Sequence, residues 1–130
     1  MCLENVTQRI AKIATEDIPC YKLVGKSSFS RELLTPYQKV PVKLGSTYKS
    51  KLIRHSNGNV TYGLHAFLTL DQALCNTFTS LYDVRIVKCI IPKGSKYYIG
   101  EFYSHYKKTA IAADTLIYGK RFISKKLCVQ

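Results

Sequence analysis

The sequence predicts an α+β domain, a twisted and mainly antiparallel sheet with one or two helices, and three observations predict it. Short runs rich in β-branched and aromatic residues, such as "CYKLVG" at 20–25 and "KYYIGEFY" at 96–103, are bounded by proline and glycine as strands are. Asn57-Gly58, between two strand-like runs, is the dipeptide that best supplies a type I′ hairpin turn. Thr69 with Gln72 three residues on is a capping-box pattern. It opens a run in which Leu70, Ala73, Leu74, Thr77, Phe78 and Leu81 recur at helical spacing.

In chain order, residues 5–15 can lay Val6, Ile10 and Ile13 on one helical face. "CYKLVG" follows as the first core strand. Residues 26–47 contain Pro36, Pro41 and Gly45, which forbid a long regular element, so they read as a basic loop with a turn of helix near Arg31–Leu34. A loop of this length is uncommon in a compact domain unless it binds something. The Asn57-Gly58 hairpin leads into a strand at 60–68 and then a helix of about three turns. "DVRIVKCIIP" and "KYYIGEFY", joined by the turn "PKGS", read as a hairpin or meander. Two short strands, Thr115–Tyr118 and Arg121–Ile123, are split by Gly119.

The chain has 130 residues, about one domain, with 46% apolar and 22% charged residues, a balance that folds. Its apolar runs, such as "VRIVKCII", are too short and too charged to span a bilayer, and the start lacks a signal-peptide core. These features lead us to expect a soluble, cytosolic protein without a membrane partner. The five cysteines, Cys2, Cys20, Cys75, Cys89 and Cys128, form no CxxC pair and read as buried thiols.

A formal charge of +12 points to an anionic partner. Eight basic residues from Lys22 to Arg54 face one acid, Glu32, so the charge belongs to the folded body. Ten Tyr and five Phe are interleaved with it, most densely in "KYYIGEFYSHYKK" at 96–108, and rings beside cations suit stacked bases and phosphates. The nucleophile-elbow, zincin, P-loop and dinucleotide patterns are all missing, and acids are too scarce for a paired-carboxylate hydrolase. The three histidines, His55, His65 and His105, are too scattered for a metal site, and the sequence calls for no cofactor. The residues that best fit a phosphate-bearing ligand are Lys22, Arg31, Tyr37, Arg54, His65, Tyr98 and His105.

Two resemblances add to this reading. Through "IATEDIPCYKLV", "TPYQ", "GLHAFLTLDQA", "VKCIIPKGSKYYIGEF" and "IAADTLIY", nearly the whole chain resembles a group of short proteins from gut bacteria and their phages. That likeness implies an accessory protein of a phage or mobile element. "GLHAFLTLDQAL", with Phe67, Thr69 and Ala73, also resembles the second conserved element of ADP-ribosyltransferase-like domains, but "CYKLV" offers only Lys22 where that family has His or Arg. The second likeness implies a nucleotide-shaped cleft, with Glu101 as stand-in for the catalytic glutamate.

The combined expectation is a small non-enzymatic protein that holds a nucleotide signal or nucleic acid, in host defence or its evasion. Two alternatives remain at this level: an NAD-using enzyme built on His65, Thr69 and Glu101, and a basic protein that blocks an acidic host protein.

Overall fold

The structure is a computed structural model that describes residues 3–4, 6, 8–28, 30–35, 38–75, 82–101 and 110–123. In chain order its strands are β1 (Lys12–Ile13), β2 (Ile18–Ser27), β3 (Ser30–Leu34), β4 (Pro41–Val42), β5 (Thr47–Lys49), β6 (Ile53–Arg54), β7 (Val60–Tyr62) and β8 (Leu64–Phe67). Helix α1 (Leu70–Cys75) follows, then β9 (Tyr82–Ile91), β10 (Lys96–Gly100), β11 (Ala110–Ala113) and β12 (Thr115–Phe122). All pairings among the described residues are antiparallel.

The main sheet runs β1-β10-β11-β8-β2-β9-β12-β5, and β6 and β7 form a separate hairpin. Its spine is β2 against β9, in continuous register from Ile18↔Ile91 to Val24↔Arg85. That ladder takes one edge of β2. The other edge is divided: Tyr21 pairs with Phe67 of β8, while Gly25 and Ser27 pair with Leu34 and Ser30 of β3, which carries β4 on its far side. The sheet therefore forks along β2, between Tyr21 and Gly25. The register also shifts at this point, between Val24 and Lys26, and such irregularities bend and twist a strand.

Both faces of the sheet are apolar. One packs Leu23, Phe67, Ile86, Tyr98 and Ala112 under α1 and the N-terminal residues Leu3 and Val6. The other packs Cys20, Val24, Val87, Cys89, Ile111, Leu116 and Tyr118 with Val42 of β4. Strands buried on both sides read as unbroken apolar runs, and all four residues of β11 are buried.

The structure overturns the α+β expectation: it is nearly all β, 60% strand against 5% helix. The cause is that strands and extended segments cover the sheet where helices were expected. Residues 5–15 do not form a helix; Leu3 and Glu4 bridge to Val60 and Glu101, and β1 pairs with β10. Val6 is buried while Ile10 and Ile13 are 82% and 61% exposed, so the helical face grouping them does not exist. The segment 26–47 holds β3 and β4 between the end of β2 and the start of β5, and Arg31–Leu34 lies in β3 rather than in a helical turn. Pro41 fits there because it opens β4, which among the described residues pairs with β3 alone.

The hairpin at Asn57-Gly58 forms with another turn type. Gly58 alone has positive φ (90°), and its N–H donates to the His55 carbonyl at 3.0 Å while the His55 N–H reaches Asn59 O. One left-handed residue marks a bulged loop rather than a type I′ turn. Thr69 caps α1, accepting the Gln72 N–H on its hydroxyl at 3.2 Å. The helix is described as far as Cys75, and Thr77, Phe78 and Leu81 lie outside the described residues.

β9 and β10 are not partners, because the Pro92–Ser95 turn is fastened to Ala14: Gly94 N–H donates to Ala14 O and Ala14 N–H to Ser95 O, both at 2.8 Å. β12 runs unbroken past Gly119, with an irregular register after Tyr118. A Cβ at residue 119 would run into the Lys88 carbonyl, so only glycine lets β12 lie this close to β9. Gly119→Ala is expected to destabilise the fold by about 1–3 kcal/mol in urea unfolding, the usual cost of overpacking; an unchanged midpoint would contradict this register.

Candidate functional site

The fork in the sheet leaves a cleft of about 180 Å³. Lys22 of β2 lies at the fork. Thr35, Gln38 and Val40 enter from the loop between β3 and β4, Val42 from β4, Gly63 from just before β8, Leu64 and His65 from its start, and Tyr48, Ser50 and Tyr118 from the β5–β12 side. None of these lining residues is acidic.

Lys22 lies on the same face of β2 as Cys20 and Val24, inside an otherwise apolar run. Where β8 parts from β2, its Nζ reaches across the gap and donates to the His65 carbonyl at 2.5 Å. Burial pulls the ammonium down from 10.5 to about 8. Among the described residues no salt bridge involves it; the one ion pair is Asp83 with Arg85. An ammonium carries three donors, so this one reaches the cleft with hydrogens to spare.

The hydroxyls around it are also donors. Thr35 Oγ1 accepts the Val40 N–H at 3.0 Å and Tyr48 Oη accepts the Lys43 N–H at 2.8 Å, so each keeps its own proton for another partner. Tyr118 is 3% exposed and packs edge-on to Tyr48, with centroids 5.5 Å apart. Burial pushes its phenol well above the usual range, so it stays protonated. The polar wall is thus rich in donors, while Val40, Val42 and Leu64 make the rest apolar.

His65 belongs to the cleft through its backbone. Leu64 and Ala66 pack into the core on the cleft face and Phe67 into the core on the other, and alternation along β8 puts the His65 side chain on the Phe67 face. The imidazole stands between the carbonyls of Gly63 (Nδ1, 3.0 Å) and Val60 (Nε2, 3.2 Å). Burial, and secondarily the Lys22 charge, pull it from 6.5 to about 4, so the ring is neutral at pH 7. That is no general base poised near neutrality.

The other sequence-predicted residues scatter. Arg54 is a tether, its guanidinium donating to Val6 O at 3.1 Å and His55 O at 3.2 Å, which ties the β6–β7 hairpin to the N-terminal segment. Tyr98, 7% exposed, belongs to the core under α1 and cannot stack on a ligand. Arg31 is exposed on β3. Tyr37 and His105 lie outside the described residues. Of the residues suggested for NAD chemistry, Thr69 caps α1 and Glu101 bridges to Glu4, and neither lines the cleft.

Sequence reasoning missed Thr35, Tyr48, Gly63 and Tyr118, although the basic segment it singled out at 26–47 does supply one wall. Among the described residues no group of three His, Cys, Asp or Glu could hold a metal, and no helix is long and apolar enough to cross a membrane. No family model, curated protein or solved structure matches the chain.

Two pH dependences follow from the lowered values of Lys22 and His65. Between about 8 and 10.5 the unfolded chain holds a proton on Lys22 that the folded chain lacks, so stability rises with pH across that window. Between 6.5 and about 4 the same holds for His65, so stability is lost as pH falls through it. Guanidinium unfolding at each pH is expected to show both slopes in the wild type, the first missing in Lys22→Met and the second in His65→Gln. Parallel profiles for wild type and variant would contradict the burial of that group.

Proposed function

We propose that the protein is a small non-enzymatic binding protein whose forked cleft holds a ligand by its terminal phosphate. The observation that carries this reading is Lys22, a half-buried ammonium among hydroxyl donors, with no acid lining its cleft. Charge-assisted hydrogen bonds to a phosphate would satisfy the donors that the protein leaves spare. A volume of about 180 Å³ equals the share of about six water molecules, enough for a phosphate and the group next to it. A terminal phosphate can enter such a recess; the internal phosphodiester of a polymer, flanked by sugar on both sides, cannot follow it. This favours a small nucleotide over nucleic acid, its base lying at the mouth beside Tyr48 and Val40.

The likeness to short phage and gut-bacterial proteins makes sequestration of a nucleotide signal, in defence or its evasion, the biological setting we propose. A +12 surface assists by drawing anions toward the cleft. The site gives the enzymatic alternative no support, since the His65 ring faces away and Thr69 and Glu101 lie elsewhere.

Calorimetric titration with AMP, inorganic phosphate and a single-stranded oligonucleotide without a terminal phosphate tests the reading. AMP is expected to bind, and Lys22→Met to weaken it by roughly 10- to 100-fold, the worth of a hydrogen bond to a charged group. Affinity should also fall about tenfold per pH unit above 8, as Lys22 loses its proton while the phosphate stays dianionic. Tighter binding of the oligonucleotide than of AMP, with Lys22→Met unchanged, would move the function to the basic surface.

A further inference from the structure

Cys20 and Cys89 stand directly opposite each other in the β2–β9 ladder. Both are free thiols, both are fully buried, and both point into the same core cluster. Directly opposed residues of an antiparallel pair have Cα and Cβ atoms about 4.5–5.5 Å apart. A disulfide accepts Cα separations of about 4.4–6.8 Å and Cβ separations of about 3.5–4.5 Å. The register alone brings the backbone within bonding range, leaving a shift of about an ångström or less at the Cβ atoms. The Cys89 thiol is held only weakly, by Val87 O at 3.7 Å and by the Gly119 backbone, and rotation about one side-chain bond releases it.

We propose that Cys20 and Cys89 form a redox modification site that closes into a cross-strand disulfide, stapling the two central strands of the sheet. The geometry carries this independently of any ligand in the cleft. Oxidised glutathione is a sufficient oxidant. One cysteine thiolate attacks it, forming a mixed disulfide and releasing one reduced glutathione; the second thiolate then displaces the other glutathione, which leaves as a thiol. Two cysteines are oxidised, one glutathione disulfide is reduced, and the two cysteine protons end on the glutathione thiols.

Burial sets when this happens. It pushes the Cys20 thiol far up and Cys89 up to about 11, so the folded sheet contains almost no thiolate. Exchange therefore belongs to the chain before β2 meets β9, or to a state in which they separate. Once folded, the same burial shields the bond from reductant. The staple joins positions 20 and 89, across more than half of the chain, and so removes much of the freedom of the unfolded state. It also fixes the β2 register two residues from Lys22.

The test is refolding of the full chain from guanidinium with a glutathione redox mixture or with dithiothreitol, followed by alkylation and peptide mapping. The expected product of the oxidised arm is a single dominant linkage, Cys20 to Cys89, with a melting midpoint at least about 5 °C above that of the reduced protein. The triple variant Cys2→Ser, Cys75→Ser, Cys128→Ser leaves both core thiols untouched and should keep linkage and shift alike, while Cys89→Ser should lose both. Failure to form a disulfide, linkage of other cysteines with Cys20 and Cys89 left alkylated, or a bond that does not raise the midpoint would each overturn the proposal.

Discussion

Two strands share one edge of β2, and the rest of the molecule follows from how that edge is divided. β9 occupies the opposite edge almost throughout, so β8 and β3 must take β2 in turn. Two strands cannot occupy one line of backbone donors and acceptors at the same height, so the sheet opens between them. The register shift after Val24 supplies the bend that turns the second half of β2 away. A crevice in the middle of a sheet would normally expose unmatched backbone groups. Here the Lys22 ammonium spans it and takes the His65 carbonyl as its partner.

That arrangement explains why a charged residue is tolerated within a strand whose neighbours Leu23 and Val24 are buried. A lysine facing the core would be costly without a partner, and one neutral carbonyl is incomplete compensation. The depressed value of Lys22 is the physical trace of that cost. An anion arriving in the cleft would relieve it, and so the strain of the fork and the phosphate affinity we propose would have one origin. The same division leaves the spine of β2 and β9 with the longest unbroken register in the sheet, and it is on this spine that Cys20 and Cys89 face each other.

What the sequence made legible was local chemistry. Thr69 does cap a helix and Asn57-Gly58 does sit in a hairpin loop, because caps and turns are decided by residues within a few positions of one another. What it hid was pairing at a distance. "PKGS" looks like a hairpin turn between two strand patterns, but Gly94 and Ser95 are held by Ala14, some eighty positions earlier, and β9 and β10 part company. The helical spacing of Val6, Ile10 and Ile13 was real as a pattern, yet an open sheet edge offered the backbone another set of partners. Lys22 could be singled out as a cation in an apolar run. Tyr98 and His65 could not be placed, since alternation tells which residues share a face but not which face meets the cleft. Tyr48 and Tyr118 come from strands that only the tertiary fold brings to Lys22.

The measurement closest to the central claim is an NMR titration of the lysine Cε resonances with and without AMP. One lysine, removed by Lys22→Met, is expected to titrate near 8 in the free protein, with a midpoint that moves upward when AMP is present. A Lys22 that titrates with the surface lysines, or whose midpoint AMP leaves in place, would contradict the claim that the fork of the sheet builds an anion site.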